Sequence, residues 1–318
     1  MMVLLMAKAP VLDQLGTLAT EARNPATERL DELSTLDLMK VMNDEDAKVA
    51  TAVRAELPAI ARAVDEIAER FRKGGRLYYT GAGTSGRLGV LDASECMPTF
   101  SVPPELFTGL IAGGDRSLRL PSEHSEDSRE EGVLDLQKAG FMKGGRPDSL
   151  IGIAASGRTP YVLAGIDHAR LAGALTIGVS CVAGSALAEA ANIAITPLVG
   201  PEILTGSTRL KAGTATKLVL NMISTGVMVR TGYTYGNLMV NVRATNEKLV
   251  ARAQRIITQA AGCDFATAGK LLKKADNDVK VAIVMHRLQV PRAKAAEKLA
   301  KANGVLRDVL KLSPKASA

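Results

Sequence analysis

The sequence predicts an α/β fold: a parallel sheet covered by helices, preceded by further helices and followed by a small all-helical unit. Three observations lead there. Short apolar runs at 76–80, 106–111, 149–154, 175–179 and 192–196 alternate with longer helix-like segments, the rhythm of parallel strands joined by crossover helices. Residues 34–73 instead repeat their apolar side chains at three- and four-residue steps, and beyond about residue 251 no strand pattern remains. Only 3% of the chain is aromatic and Trp is absent, so the core is built from Ala, Val, Leu, Ile and Met, which suits helices packed on a sheet.

The elements follow in order. Val49, Val53, Leu57, Ile60, Val64, Ile67 and Phe71 mark the buried face of the first helical stretch. Pro58 starts a second helix within it and Gly74-Gly75 ends that helix. A first crossover helix is expected over 86–94, another over 127–139, and a long one from Thr208 to Arg230 that packs on the sheet. The end of the chain reads as helices over 251–261, 265–274 and 277–288 with a fourth running to Leu310, and LSPKASA reads as a frayed tail. Residues 1–19 read as a disordered extension, 20–250 as the sheet domain with its N-terminal helices, and 251–318 as the small helical domain.

Composition narrows the function classes. Cys96, Cys181 and Cys263 are odd in number and widely spaced, so neither a disulfide framework nor a zinc site is expected, and a reducing cytoplasm is the natural home. The apolar opening MMVLLMAKAPVL is interrupted by Lys8 and is too short to span a bilayer, so no membrane association is expected. Residues 251–318 carry 14 Lys/Arg against 5 Asp/Glu, within a total net charge of +7. Without interleaved aromatics this basic region reads as a solvated helical surface, and no nucleic-acid partner is expected. His168 and His286 are isolated, and no metal-ligand cluster is expected.

The chemistry concentrates in a loop that occurs twice. In RLYYTGAGTSGRLG an apolar run leads into Gly81, Gly83 and Gly86, the spacing of a dinucleotide fingerprint. That reading wants an acidic residue closing the next strand, and Ile111-Ala112-Gly113-Gly114 offers none. In IGIAASGRTPY a second apolar run leads into Ser156-Gly157-Arg158, matching Ser85-Gly86-Arg87. Two hydroxyl-bearing loops at helix starts hold a phosphate well. The expected contacts are Thr84 and Ser85 in the first loop and Ser156, Gly157 and Thr159 in the second, with Arg87 and Arg158 either adding charge or turned toward an acidic neighbour. No cofactor is expected.

Paired Ser/Thr loops on a parallel sheet resemble the sugar isomerase (SIS) domain, a flavodoxin-like three-layer fold that binds phosphosugars. GAGTSGRLGVLDASEC, LIAGGD, SEDSREEG, GIAASGRTPYV, ITPLVGPEILTGSTRLKAGTATKLVLNMISTG and GNLMVNVRATNEKL together resemble the N-acetylmuramic acid 6-phosphate etherase family. The resemblance runs from about Thr20 to the end, and GCDFATAGKLLKKADNDVKVAIVMH is similar to the UBA-like module that closes that family. It implies cleavage of a lactyl ether at C3 of an amino-sugar 6-phosphate, in the recycling of cell-wall sugar, by a homodimer. The glucokinase regulatory protein is also similar, which keeps a non-catalytic phosphosugar sensor as the alternative, with an aldose–ketose phosphosugar isomerase beside it.

The resemblance also implies the catalytic pair. Glu95, in DASEC, matches the proton donor to the leaving lactate, and Glu126, in SEDSREEG, matches the base at C2. With the helices as predicted, Glu95 stands at a helix C-terminus, which disfavours ionisation, and Glu126 at a helix N-terminus, which favours it. Lys211 and Glu247 fall in densely matching stretches and are expected to line the site, without a derivable role. Cys96 reads as a small buried thiol, and His124 and Met97 depart from the family's usual residues.

Overall fold

The computed structural model describes residues 20–120, 123–242 and 247–311. The expected extension 1–19 and the end of the tail, 312–318, lie outside them. Helix α1 spans Thr35–Ala55 and starts where the Ser34 hydroxyl accepts the Asp37 N–H. Helix α2, Leu57–Arg72, begins one residue after α1 ends, with Pro58 in its first turn as expected, and Gly74 at φ +84° turns the chain away. The buried face predicted for this stretch holds at Val49, Val53, Ile60, Val64 and Ile67, but Leu57 is exposed.

The sheet is built from β1 (Leu77–Gly81), β2 (Phe107–Ile111), β3 (Ser149–Ile153), β4 (Leu175–Val179) and β5 (Ile193–Ile195). All pairings are parallel, in the order β2-β1-β3-β4-β5, with Leu77 opposite both Phe107 and Ser149. The connections are α3 (Gly83–Phe100), a short α4 (Glu123–Glu126), α5 (Arg129–Lys138), α6 (Pro160–Leu171) and α7 (Ala186–Ala190). Helix α8, Lys211–Arg230, follows the sheet. It starts three residues later than expected, because Thr208–Leu210 form a turn.

Side chains of successive strand residues face opposite ways, which gives the sheet two cores. Tyr79, Ile151, Ile153, Ile177 and Val179 pack with α1, α2, α3 and α8. Tyr78 and Leu150 pack on the other face with Leu136 of α5, Tyr161 and Ile166 of α6, and Leu187 of α7. At the amino ends of the strands the buried Asp148 pairs with Arg76 at 2.7 Å, away from the loops described next.

The remaining helices are α9 (Glu247–Ala261), α10 (Phe265–Lys274), α11 (Val279–Leu288), α12 (Arg292–Lys301) and α13 (Leu306–Lys311). They share a third core, which Val240 and Val242 join. The expected fourth helix is therefore two, broken where Asn303 and Gly304 take positive φ. Among the described residues no helix is long and apolar enough to cross a membrane.

Candidate active site

The strand order reverses between β1 and β3, since β2 lies on one side of β1 and all later strands on the other. In open α/β sheets, ligands bind outside the carboxyl ends of the strands at such a switch point. The two loops that leave this point are the two singled out in the sequence.

The first loop is shorter than its sequence implies, because α3 begins at Gly83 and not at residue 86. Gly86 is held against the end of β1, donating its N–H to Ala82 O at 3.2 Å. A Cβ there would stand 2.6 Å from the Gly81 carbonyl oxygen, so the glycine spacing serves close packing of helix on strand. No side chain caps α3, leaving the first-turn N–H groups beside Thr84 and Ser85 without a helical acceptor. Both hydroxyl residues are half-buried.

The second loop turns through Gly157, whose N–H reaches Ala154 O at 2.8 Å and whose φ is +68°. A Cβ on Gly157 would lie 2.3 Å from Ser185 Oγ. Thr159 precedes α6 and offers no side-chain cap to it. Ser156, Arg158 and Thr159, like Thr84 and Ser85, make no side-chain hydrogen bond or ion pair among the described residues, and all are half-buried. Hydroxyls left without internal partners at two adjacent strand ends are free to bind an oxyanion.

The sequence reading missed the groups beneath these loops. After β4, buried Ser180 and Ser185 hydrogen bond to each other at 2.9 Å and pack under Gly157. The run GVSCVAGS was the available signal: a third strand ending in hydroxyl residues. Helix α8 begins beside the first loop, its Gly213 facing Thr84. Its first N–H groups, of Lys211 and Ala212, both donate to the carboxylate of buried Glu202 at 2.9 Å. Lys211 itself is 1% exposed and reaches Glu45 of α1, so it does not line the site. Nothing in the sequence marked Glu45 as its partner.

Arg87 is not turned toward an acid. Its Nε donates to Leu118 O at 3.0 Å and its Nη2 to Ser117 O at 2.8 Å.

Glu95 is exposed on α3, ten residues past Ser85, about 15 Å along the helix axis at 1.5 Å per residue. Helix α3 does not stop at 94: it continues through Pro98 to Phe100, so another turn separates Glu95 from the C-terminus. Three residues back, Asp92 is buried and accepts from Tyr79 Oη at 2.7 Å, Asn221 Nδ2 at 2.6 Å and Ser224 Oγ at 3.1 Å. These bonds fix the rotation of α3 on β1 and α8, and with it the direction in which Glu95 points.

Glu126 is exposed at the end of α4, which packs on α6. Helix α5 starts only at Arg129 behind the cap Ser128, two residues later than expected, and Glu126 is instead the last residue of α4, at a helix C-terminus. The helix-dipole argument for dividing the roles therefore does not hold for either glutamate.

Cys96 is buried as expected, and burial, reinforced by Asp92, pushes its thiol up to about 12, which removes it as a nucleophile. Glu247 is exposed at the start of α9. Among the described residues no three His, Cys, Asp or Glu side chains group as metal ligands.

A family profile described as the glucokinase regulatory protein N-terminal SIS domain matches residues 59–170, a span that holds both Ser-Gly-Arg loops, Glu95 and Glu126. The N-acetylmuramic acid 6-phosphate etherase of Pasteurella multocida is 54% identical, over 94% of this chain and 98% of that protein. The protein of the same name from Clostridium beijerinckii is 54% identical over 93% of this chain and 96% of its own length. That from Aliivibrio fischeri is 53% identical, over 93% and 98%.

Proposed function

The chain belongs to the N-acetylmuramic acid 6-phosphate etherase family, an enzyme family of carbon–oxygen lyases, and on that premise we propose how its residues divide the reaction. The single observation that carries the proposal is the meeting of the two hydroxyl loops at the β1/β3 switch point. Thr84 and Ser85, with Ser156, Gly157 and Thr159, hold the 6-phosphate, and Arg158 adds its charge. The sugar then extends along α3 toward Glu95, over a distance that suits a phosphosugar and its contacting side chains.

An alkyl ether resists direct hydrolysis, but the open-chain aldehyde has an acidic proton at C2. Glu126 removes that proton as a carboxylate. The electron pair forms the C2–C3 double bond, the C3–O bond breaks, and the departing lactate oxygen takes a proton from the carboxylic acid of Glu95. Water then adds at C3, giving one proton to Glu95 while Glu126 returns its proton to C2. The products are N-acetylglucosamine 6-phosphate and D-lactate. The steps move protons, break one C–O bond and form another, so they call for no redox cofactor. Binding energy at the remote phosphate orients C2 and C3 against the two carboxylates.

The enzyme acts as a homodimer in the cytoplasm, in the recycling of cell-wall sugar. A non-catalytic sensor has no use for both glutamates, and identity to etherases across nearly the whole chain favours catalysis. Incubation with N-acetylmuramic acid 6-phosphate should release D-lactate, and the unphosphorylated sugar should react far more slowly. Absence of lactate from folded protein would overturn the reading.

A further inference from the structure

We propose that Arg209, in the turn that leads into α8, is a further substrate-binding residue: its guanidinium contacts the sugar's 6-phosphate from the side of the first hydroxyl loop, with the Ser207 and Thr208 hydroxyls beside it. The proposal rests on the placement of the phosphate at the two hydroxyl loops.

A phosphate monoester carries a charge of about −1.5 to −2 near neutral pH. The first loop offers it only hydroxyls and backbone N–H groups, because the cations nearest in sequence are committed elsewhere. Arg87 gives Nε and Nη2 to the carbonyls of Leu118 and Ser117. Lys211 is buried with Glu45. The first N–H groups of α8 are taken as well, by the buried carboxylate of Glu202. Arg209 is different. It is exposed, and like the half-buried Ser207 and Thr208 it makes no side-chain hydrogen bond or ion pair among the described residues.

The turn that carries these side chains is held without them. Ser207 N donates to Leu204 O at 2.9 Å, Thr208 N to Gly206 O at 3.0 Å and Leu210 N to Ser207 O at 3.2 Å. Upstream, Asn24 and Thr27 bond to the carbonyls of Pro201 and Ile203. The turn also abuts the first loop. Thr208 O accepts the Gly213 N–H at 3.0 Å, and a Cβ on Gly213 would lie 3.5 Å from Thr84 Cγ2 and 3.6 Å from that same Thr208 oxygen. Thr84 and Thr208 therefore meet across one bare α-carbon, and Arg209 is the next residue. The planar fork of a guanidinium fits two phosphate oxygens at once. Hydroxyls from three chain segments and two arginines, Arg158 and Arg209, then surround the anion.

Loss of this contact is specific to the phosphate. R209M should weaken competitive inhibition by inorganic phosphate and by N-acetylglucosamine 6-phosphate about ten- to a hundredfold, the range for a hydrogen bond to a charged group, and should raise KM for N-acetylmuramic acid 6-phosphate. Inhibition by N-acetylmuramic acid, which has the lactyl carboxylate and no phosphate, should not change. R209K keeps the charge but loses the fork, and should fall between parent and R209M. An exposed turn residue without partners predicts an unchanged urea midpoint; if R209M does not fold, the same inhibitors are measured on R209K, with the same selective loss expected. Phosphate inhibition equal to the parent's, or a loss for N-acetylmuramic acid and not for phosphate, would overturn the proposal. S85A/S156A in the same assay keeps the two assignments apart. Phosphate inhibition unaltered by S85A/S156A overturns the placement of the phosphate at the loops, whereas inhibition weakened by S85A/S156A and unaltered by R209M overturns the role of Arg209 alone.

Discussion

The ammonium of Lys211 lies 2.6 Å from a carboxylate oxygen of Glu45, across 166 residues of chain, with side chains 1% and 6% exposed. The pair joins α1 to the first residue of α8, next to the first hydroxyl loop. The same region is fastened by Asn24 Nδ2 donating to Pro201 O at 3.2 Å and Thr27 Oγ1 donating to Ile203 O at 2.9 Å. The segment before the sheet thereby holds the chain that carries Glu202 and starts α8.

Breaking this pair from one side should destabilise the protein strongly. K211M takes the closest cation from the buried Glu45 carboxylate and leaves it Lys48 and Asn24, at a cost of about 3–5 kcal/mol. Urea unfolding should show the lower midpoint at an unchanged slope, and the double variant E45M/K211M should recover much of the loss. A single variant as stable as the parent would show that the ion pair is not buried in solution.

The pair also sets an acid limit. Burial pushes the Glu45 carboxyl up, but hydrogen bonds from Lys211 and Lys48 outweigh it and hold the group down at about 2, against an ordinary 4.5. A folded value below the unfolded one means stability that is complete above about pH 4.5 and is lost as pH falls through that value toward 2. The amount is about 3 kcal/mol, from 1.36 kcal/mol per unit. Acid titration of unfolding should show this loss in the parent and not in E45Q. Parallel acid limbs for the two proteins would refute it.

Gly157 should tolerate no side chain. Its left-handed φ costs an alanine about 1–2 kcal/mol, and the overlap with Ser185 Oγ adds about 1–3 kcal/mol of overpacking. G157A should melt earlier and bind inorganic phosphate more weakly, because relief of the clash moves the Ser156–Thr159 loop. An alanine variant with unaltered phosphate inhibition would remove this loop from the site.

The two glutamates should separate in heavy water. E95Q should still exchange the C2 hydrogen of N-acetylmuramic acid 6-phosphate while releasing almost no lactate, and E126Q should do neither. Losing one acid or base costs about a hundredfold to ten-thousandfold. Mass spectrometry of recovered substrate reads the exchange; the reverse pattern would swap the roles, and normal lactate release from both would place the chemistry elsewhere.

A dimer should form through α3 and α8. The apolar side chains Leu220, Ile223, Val227 and Met228 of the long helix are buried within their own chain. Met222 and Val229 of α8 stay exposed, as do Leu91 and Met97 of α3, the helix it packs on. Light scattering at micromolar concentration should give twice the chain mass of 33.4 kDa, and a monomer would count against the paired surface.

Much of the candidate site was legible because its signals are local. A run such as Leu77–Gly81 declares a strand by its own apolar side chains, and the hydroxyl loop that follows it is contiguous in sequence. Helix ends were harder. The first crossover helix was expected to end at 94, but Pro98 near a C-terminus removes only one hydrogen bond and the last turn survives, so α3 carries Glu95 further inside a helix than expected.

The sequence by itself determined the strands and the two hydroxyl loops, marked Glu95 and Glu126 as candidates and, through family resemblance, pointed to the reaction. Only the tertiary structure decided the strand order that puts both loops at one switch point, the Ser180–Ser185 pair under Gly157, the carbonyls that occupy Arg87 and the partner of Lys211. Backbone periodicity and turn chemistry are properties of adjacent residues, whereas the partner of a buried charge or a bare α-carbon is chosen by whichever distant segment packing brings against it.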